Sequence, residues 1–199
     1  MNYLKKEHLP IITPHLVLRL VEVYEADWMV RYVTDNRLHL EPWEPTRSDA
    51  YYTTDYWKKE LMHRQNEFYL GEALNLAVFL KDPRSEPSDP IIGVCNFTNF
   101  MYGVFQSCFL GYSMHHRYQG QGVMKEALDA AIDFVFKTFN LHRIMANYMP
   151  RNERSGRLLK KLGFTVEGYA RDYLKIADQW EDHILTSKIT SKISNQEFK

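Results

Sequence analysis

Apolar residues recur along this chain at two periods, and the alternation between them sets out its elements. Leu16-Val17-Leu18-Arg19-Leu20-Val21 follows the Thr13-Pro14 break and reads as a first strand. Residues 27–34 read as a short helix. In residues 36–45, Pro42 and Pro45 flank Trp43-Glu44, which blocks a regular helix and predicts a structured loop. Residues 49–71 are polar and aromatic, with Tyr52, Tyr56, Leu61 and Phe68 available for one face of a long helix. Residues 74–80 have the aliphatic and aromatic content of a strand. Residues 81–90 carry three prolines and read as an exposed loop.

Residues 91–97 and 106–114 predict two strands of a hairpin joined through 99–105. The clearest helix runs from Gly120 to about Thr138, where Met124, Ala127, Leu128, Ala131 and Val135 fall at spacings of three and four. A strand over 143–149 leads to a second strong helix over 152–162. Asn152 is its expected N-cap, Leu158, Leu159 and Leu162 form its apolar face, and Gly163 stands where a left-handed residue closes a helix. Residues 164–176 and 179–189, joined at Ala177-Asp178, finish the chain as a long hairpin. The order describes a mixed α/β fold: one domain over residues 1–199, with 1–12 and 190–199 expected to be flexible.

Composition narrows the setting. The 199 residues are 45% hydrophobic, enough for one domain with a real core. Lys plus Arg number 25 and Asp plus Glu number 25, so no net field draws the chain to nucleic acid or membrane. Cys95 and Cys108 are too few for a disulfide framework and sit in apolar, strand-like runs, which predicts buried structural thiols rather than a covalent acyl carrier. The N-terminal residues lack the apolar stretch of a signal peptide, and no run approaches the roughly 20 apolar residues that span a bilayer. A cytoplasmic protein with no membrane association is expected. His115, His116, Cys108 and His183 have no metal-ligand spacing, so no metal is expected.

Residues 112–124, Tyr-Ser-Met-His-His-Arg-Tyr-Gln-Gly-Gln-Gly-Val-Met, run from strand through turn into helix. Gly120 and Gly122 let backbone approach a ligand without an intervening Cβ, and a helix's first-turn N–H groups and dipole favour negative charge. Together they form a phosphate cradle. Lys125 replaces the third glycine of a dinucleotide fingerprint, and the Gly-Lys-Ser/Thr ending of a P-loop is absent. On these residues alone, an ordinary glycine turn explains the pattern equally well.

Arg117-x-x-Gly120-x-Gly122 resembles the pyrophosphate loop of the GNAT acetyltransferases, in the same strand–loop–helix position. Asn152-x-x-Ser155, closed by Leu162-Gly163-Phe164, resembles that family's second coenzyme motif, one helix and one strand later. Residues 40–45, 142–150 and 168–174 are similar to the branch of the family that modifies the N-terminal alanine of a small-subunit ribosomal protein. The likeness spans residues from about 13 to 186. It implies the GNAT fold: a mixed, largely antiparallel sheet with helices on both faces and strands splayed at an acetyl-CoA site. It also implies direct acetyl transfer from acetyl-CoA to a ribosomal protein's N-terminus, and a partner in the immature small ribosomal subunit.

By the same resemblance, the coenzyme meets Tyr112, Met114, Arg117, Gln119, Gly120, Gln121, Gly122, Val123, Asn152 and Ser155. A backbone N–H in residues 112–114 would meet the developing oxyanion. Ser155 matches the position from which relatives protonate the coenzyme sulfur, and Glu167 the position of a proposed base. Asn147 stands where another ribosomal-protein acetyltransferase keeps a glutamate, so any base lies elsewhere. Trp43, Glu41 and Glu44 lie in the loop that lines the acceptor site, and Tyr148 is a candidate pocket wall.

Each role has a plainer counterpart: Glu167 as one polar residue on an alternating strand, Ser155 as a cap, residues 41–45 as a solvated loop anchored by Trp43. A free α-amine has an ordinary pKa of about 7.7–8 against about 10.4 for lysine, so an N-terminal acceptor needs only a modest base. Two other functions fit the sequence. One is acetylation of a small amine. The other is ribosome assembly or RNA binding through Arg143, Arg151, Arg154, Arg157, Lys160 and Lys161. The sequence leaves monomer and homodimer open.

Overall fold

A computed structural model describes residues 9–82 and 90–190. Its sheet has eight strands: β1 (Ile11–Ile12), β2 (Leu16–Arg19), β3 (Leu74–Leu80), β4 (Gly93–Met101), β5 (Ser107–Met114), β6 (Arg143–Met145), β7 (Thr165–Ile176) and β8 (Gln179–Ile189). They lie in the order β1-β2-β3-β4-β5-β6-β8-β7. Every pairing is antiparallel except β5 with β6. The helices are α1 (Ala26–Asp35), α2 (Arg37–Leu40), α3 (Thr54–Leu70), α4 (Val123–Thr138) and α5 (Glu153–Lys161).

The period-two pattern of the strands divides the core between two faces. Leu16, Leu18, Leu74, Leu76, Val78, Cys95 and Phe97 pack with α4 and α5. Ala77, Ile91 and Val94 face the other way, against Met29 and Val33 of α1 and Trp57 and Leu61 of α3. Thr53 caps α3 by accepting from the Tyr56 N–H, and Gly71, at φ +72°, ends it. Asn152 caps α5 through the Ser155 N–H, and Gly163, at φ +84°, follows it, both at their expected positions.

The parallel contact between β5 and β6 is short and decides where a ligand fits. Ser107, Cys108 and Phe109 pair with Arg143, Ile144 and Met145. Beyond Met145 the chain turns its bonds to β8: the Ala146 N–H donates to the Thr186 carbonyl at 3.0 Å and the Tyr148 N–H to the Ile184 carbonyl at 3.1 Å. From Leu110 to Met114, β5 is therefore paired only with β4. The sheet splays open at that end.

Several boundaries differ from the sequence reading. The strand expected over 143–149 shrinks to β6: Arg143–Met145 pairs with both β5 and β8, and beyond it the pairing with β5 stops and only an isolated bridge, Tyr148 with Ile184, continues on β8. Residues 36–45 are not an irregular loop throughout: α2 and a 3-10 turn, Glu41–Trp43, occupy most of it. Pro42 sits near that turn's start, where its missing N–H costs nothing. Ile11 and Ile12, expected within a flexible tail, pair with Leu18 and Val17. Residues 1–8 and 191–199, and 83–89 of the expected exposed loop, lie outside the described residues.

Candidate active site

Between β5 and α4 the chain makes a 3-10 turn, His116–Tyr118, and then passes through Gly120 at φ +74° and Gly122 at φ +80°. A Cβ added at either glycine meets nothing within 4 Å, so it is the left-handed backbone, not crowding, that demands glycine. The Gln121 side-chain amide closes the turn on the Arg117 carbonyl at 2.8 Å. The N–H groups of Gly120, Gln121, Gly122 and Val123 find no acceptor among the described residues. They stand at the positive end of a 16-residue helix, whose macrodipole amounts to about half a unit charge. The arrangement suits a diphosphate.

Two partly buried ties hold this turn to α1 and α2. The Asn36 side chain, 0% exposed, accepts the His116 backbone N–H at 2.9 Å and donates to the Tyr32 carbonyl at 2.8 Å. The His39 ring meets the Gln119 side-chain amide. Burial, with His116 and Arg154 nearby, lowers the His39 pKa, so a neutral ring accepts from Gln119. Neither Asn36 nor His39 is identifiable from sequence, since their partners lie 80 residues away.

At the splay, the Tyr112 hydroxyl lies 2.7 Å from Ser155 Oγ, joining β5 to the first turn of α5. Burial pushes the Tyr112 phenol up to about 12. The Asn152 side chain holds the Ser155 N–H at 3.2 Å. Tyr148 lies across α5 at Gly156, where an added Cβ would come within 2.7 Å of its ring. Tyr148, expected as an acceptor wall, thus lies against α5 one residue beyond Ser155. Burial raises the Cys95 thiol and pushes Cys108 up to about 12, so neither is a nucleophile at neutral pH.

On the opposite face, Tyr32 and Ser113 share a hydrogen bond of 2.9 Å beneath the proline-bounded loop. An open recess is lined there by Arg37, Glu41, Glu44, Arg47, Tyr51 and Tyr52, among others. Burial and the Glu44 charge push Tyr51 up to about 12. The loop is pinned to the hairpin tip: the Ala177 N–H donates to the Glu44 carbonyl at 3.1 Å, and Thr46 to the Asp178 carboxylate at 2.6 Å. Arg151 lies 4.9 Å from the Trp43 ring centre, donates to the Pro42 carbonyl at 3.1 Å, and pairs with Glu181 at 2.8 Å.

Glu167, the expected base, is not assembled with these groups. Both its carboxylate oxygens lie 2.7 Å from one Arg143 nitrogen, and Ser187 donates to it at 2.7 Å. Those bonds hold its carboxyl below the usual glutamate range, which weakens it as a base. Arg143 pairs with Ser107 at the closed end of the β5–β6 contact, five residues before Tyr112 or roughly 16 Å along a strand. The reading is corrected: Glu167 is a strand-to-strand tie. Asn147 is another, accepting from the Thr186 N–H at 3.2 Å and donating to the Tyr173 hydroxyl at 3.1 Å.

The basic cluster divides. Arg143, Arg151 and Arg157 are paired with Glu167, Glu181 and Glu153, while Arg154, Lys160 and Lys161 are exposed on α5. Among the described residues, no group of three or more His, Cys, Asp or Glu side chains is placed to hold a metal ion. No helix among them is long and apolar enough to cross a membrane.

Comparison with known proteins matches this geometry to chemistry. The family model described as acetyltransferase (GNAT) domain matches residues 15–165. The ribosomal protein uS5-alanine N-acetyltransferase of Escherichia coli (strain K12) is 46% identical over 181 residues, 90% of either chain. The crystal structure of ribosomal-protein-S5-alanine acetyltransferase from Vibrio fischeri superposes with a TM-score of 0.86 at 40% identity, covering 92% of this chain and 97% of that one. Mycobacterium smegmatis RimJ in complex with CoA-disulfide follows with a TM-score of 0.80 at 26% identity, over 90% of this chain and 84% of that one.

Proposed function

The chain belongs to the GNAT acetyltransferase family, and on that premise we propose that it acetylates the N-terminal alanine amine of a small-subunit ribosomal protein, uS5. Its co-substrate is acetyl-CoA. What carries the assignment of roles is the row of N–H groups at Gly120, Gln121, Gly122 and Val123, which has no acceptor among the described residues and opens beside the splay. The diphosphate sits on that row, with Arg117 and Gln119 beside it, and the thioester arm enters the gap between β5 and β6. Met114 and Tyr112 flank the thioester, and a backbone N–H in residues 112–114 polarises its carbonyl.

The acceptor enters from the opposite face, past Trp43 and Glu44. Carboxylates there suit a cationic N-terminus, and an α-amine of pKa about 7.7–8 is already roughly a tenth neutral near pH 7. It attacks directly: the buried thiols, with their raised pKa values, support a mechanism without an acyl-enzyme. The amine's proton leaves through water, and Ser155 donates to the departing sulfur. We place this activity in the cytoplasm, where the acceptor is made.

The test is mass spectrometry of uS5, supplied free and within immature small subunits, after incubation with enzyme and acetyl-CoA. Acetylation is expected on the alanine α-amine and not on lysine side chains. Turnover confined to small amines such as polyamines would replace this reading with the small-amine one.

A further inference from the structure

Tyr112 and Ser155 come from two elements bordering the splay, and their hydroxyls, 2.7 Å apart, leave one question of direction. One must donate and the other accept. The Tyr112 side chain is partly buried against the hydrophobic core, and Ser155 is its one hydrogen-bond partner among the described residues. If the phenol accepted from Ser155, its own proton would be left in apolar surroundings without an acceptor. Burial also keeps that proton in place, with the phenol up at about 12. Ser155 has spare capacity: unlike Tyr112 it does not pack against the hydrophobic core, and its hydroxyl makes no bond back to a helix carbonyl among the described residues. Its backbone is fixed by the Asn152 cap.

We propose that Tyr112 is a positioning residue that donates to Ser155 Oγ and so turns the Ser155 proton into the gap, toward the coenzyme sulfur. The inference rests on the reading of Ser155 as the donor to the departing thiolate. As the carbon–sulfur bond breaks, sulfur takes the bonding pair and Ser155 hydrogen-bonds to it without giving up its proton. Full transfer would leave a phenolate in place of a thiolate of ordinary pKa about 8.5, an equilibrium disadvantage of roughly three-thousand-fold. The thiol is completed by a proton from water, balancing the one the amine released.

The experiment measures kcat and KM for Tyr112→Phe, Ser155→Ala and the double variant, using acetyl-CoA and the acceptor's N-terminal peptide. Tyr112→Phe is expected to lower kcat about tenfold or more while the acetyl-CoA KM stays within about threefold. The double variant should be no slower than Ser155→Ala, because the two act as one unit. Losses that multiply, or a KM rise at unchanged kcat, would make Tyr112 a pocket wall and overturn the inference. Wild-type kcat in Tyr112→Phe beside a crippled Ser155→Ala also overturns it but leaves the Ser155 role intact. Wild-type kcat in Ser155→Ala removes that role and this inference together. If phenylalanine at 112 prevents folding, 3-fluorotyrosine keeps the shape with a more acidic phenol. The alkaline limb of kcat should then move to lower pH, and an unmoved limb counts against Tyr112.

Discussion

The buried Asn36 side chain and the His116 backbone are joined by a hydrogen bond of 2.9 Å across 80 residues of sequence. The bond fixes the end of α1 to the entrance of the glycine turn, and so ties the proposed coenzyme and acceptor sites to one scaffold.

Asn36→Ala should therefore act twice. It leaves the His116 N–H without its acceptor and takes one of two donors from the Tyr32 carbonyl, which keeps the Asn36 backbone N–H, at about 1–3 kcal/mol. That corresponds to a fall in Tm of roughly 2–12 °C for a chain of this length. It also loosens the turn, so the KM for acetyl-CoA should rise several-fold while the peptide KM rises less. Thermal melts with and without coenzyme, beside initial rates, measure both effects, and an unchanged coenzyme KM would refute the coupling.

Gly122→Ala separates backbone strain from ligand access. Holding alanine at φ +80° costs about 1–2 kcal/mol. The added Cβ meets no protein atom within 4 Å, so any further effect arises on the ligand side. Coenzyme affinity by calorimetry is expected to drop tenfold or more, against a modest loss of stability. Affinity retained at that reduced stability would mean the diphosphate does not sit there.

Glu167→Gln should leave kcat within about twofold across neutral pH, since the carboxylate is occupied by Arg143 and Ser187. Its effect is on stability. A glutamate whose folded pKa is depressed stabilises the fold above its unfolded pKa of about 4.3, and that contribution is lost as pH falls through the lower folded value. Because the side chain is 41% exposed, solvent screening limits the contribution to about 0.5 kcal/mol. Denaturant melts of both proteins should differ slightly at pH 7 and converge near pH 3. A hundredfold loss of turnover would restore Glu167 to the mechanism.

Gly156→Ala would ordinarily stabilise a helix by about 1 kcal/mol. Here the new methyl meets the Tyr148 ring at 2.7–2.9 Å, so the gain is offset and Tyr148 must move. Activity should fall with stability nearly unchanged. In a Tyr148→Ala background the same change should recover the helix gain, which equilibrium unfolding reads directly.

How much of this was legible in the sequence depends on range. Elements defined by local periodicity emerged nearly in place: α4 from its apolar spacing, α5 from Asn152 and Gly163, the last hairpin from Ala177-Asp178. The left-handed glycine turn ahead of α4 was visible because glycine identity and helix onset are local properties. What escaped were long-range partners. Nothing near residue 36 announces a bond to residue 116, and nothing near 146 announces that pairing with β5 stops there, which ends β6. Glu167 was misread for the same reason: its role is set by Arg143 and Ser187, neither of them a sequence neighbour.

The tight turn at Ala177 and Asp178, both at positive φ, reaches across to hold the strip bearing Trp43 and Glu44. With the roles proposed above, thioester chemistry and choice of acceptor are thereby written in separate stretches of chain. Drift in the length or composition of that turn can retune which amine is admitted while the diphosphate turn and the Tyr112–Ser155 pair stay as they are. A lineage carrying this architecture can change clients without reinventing its catalyst.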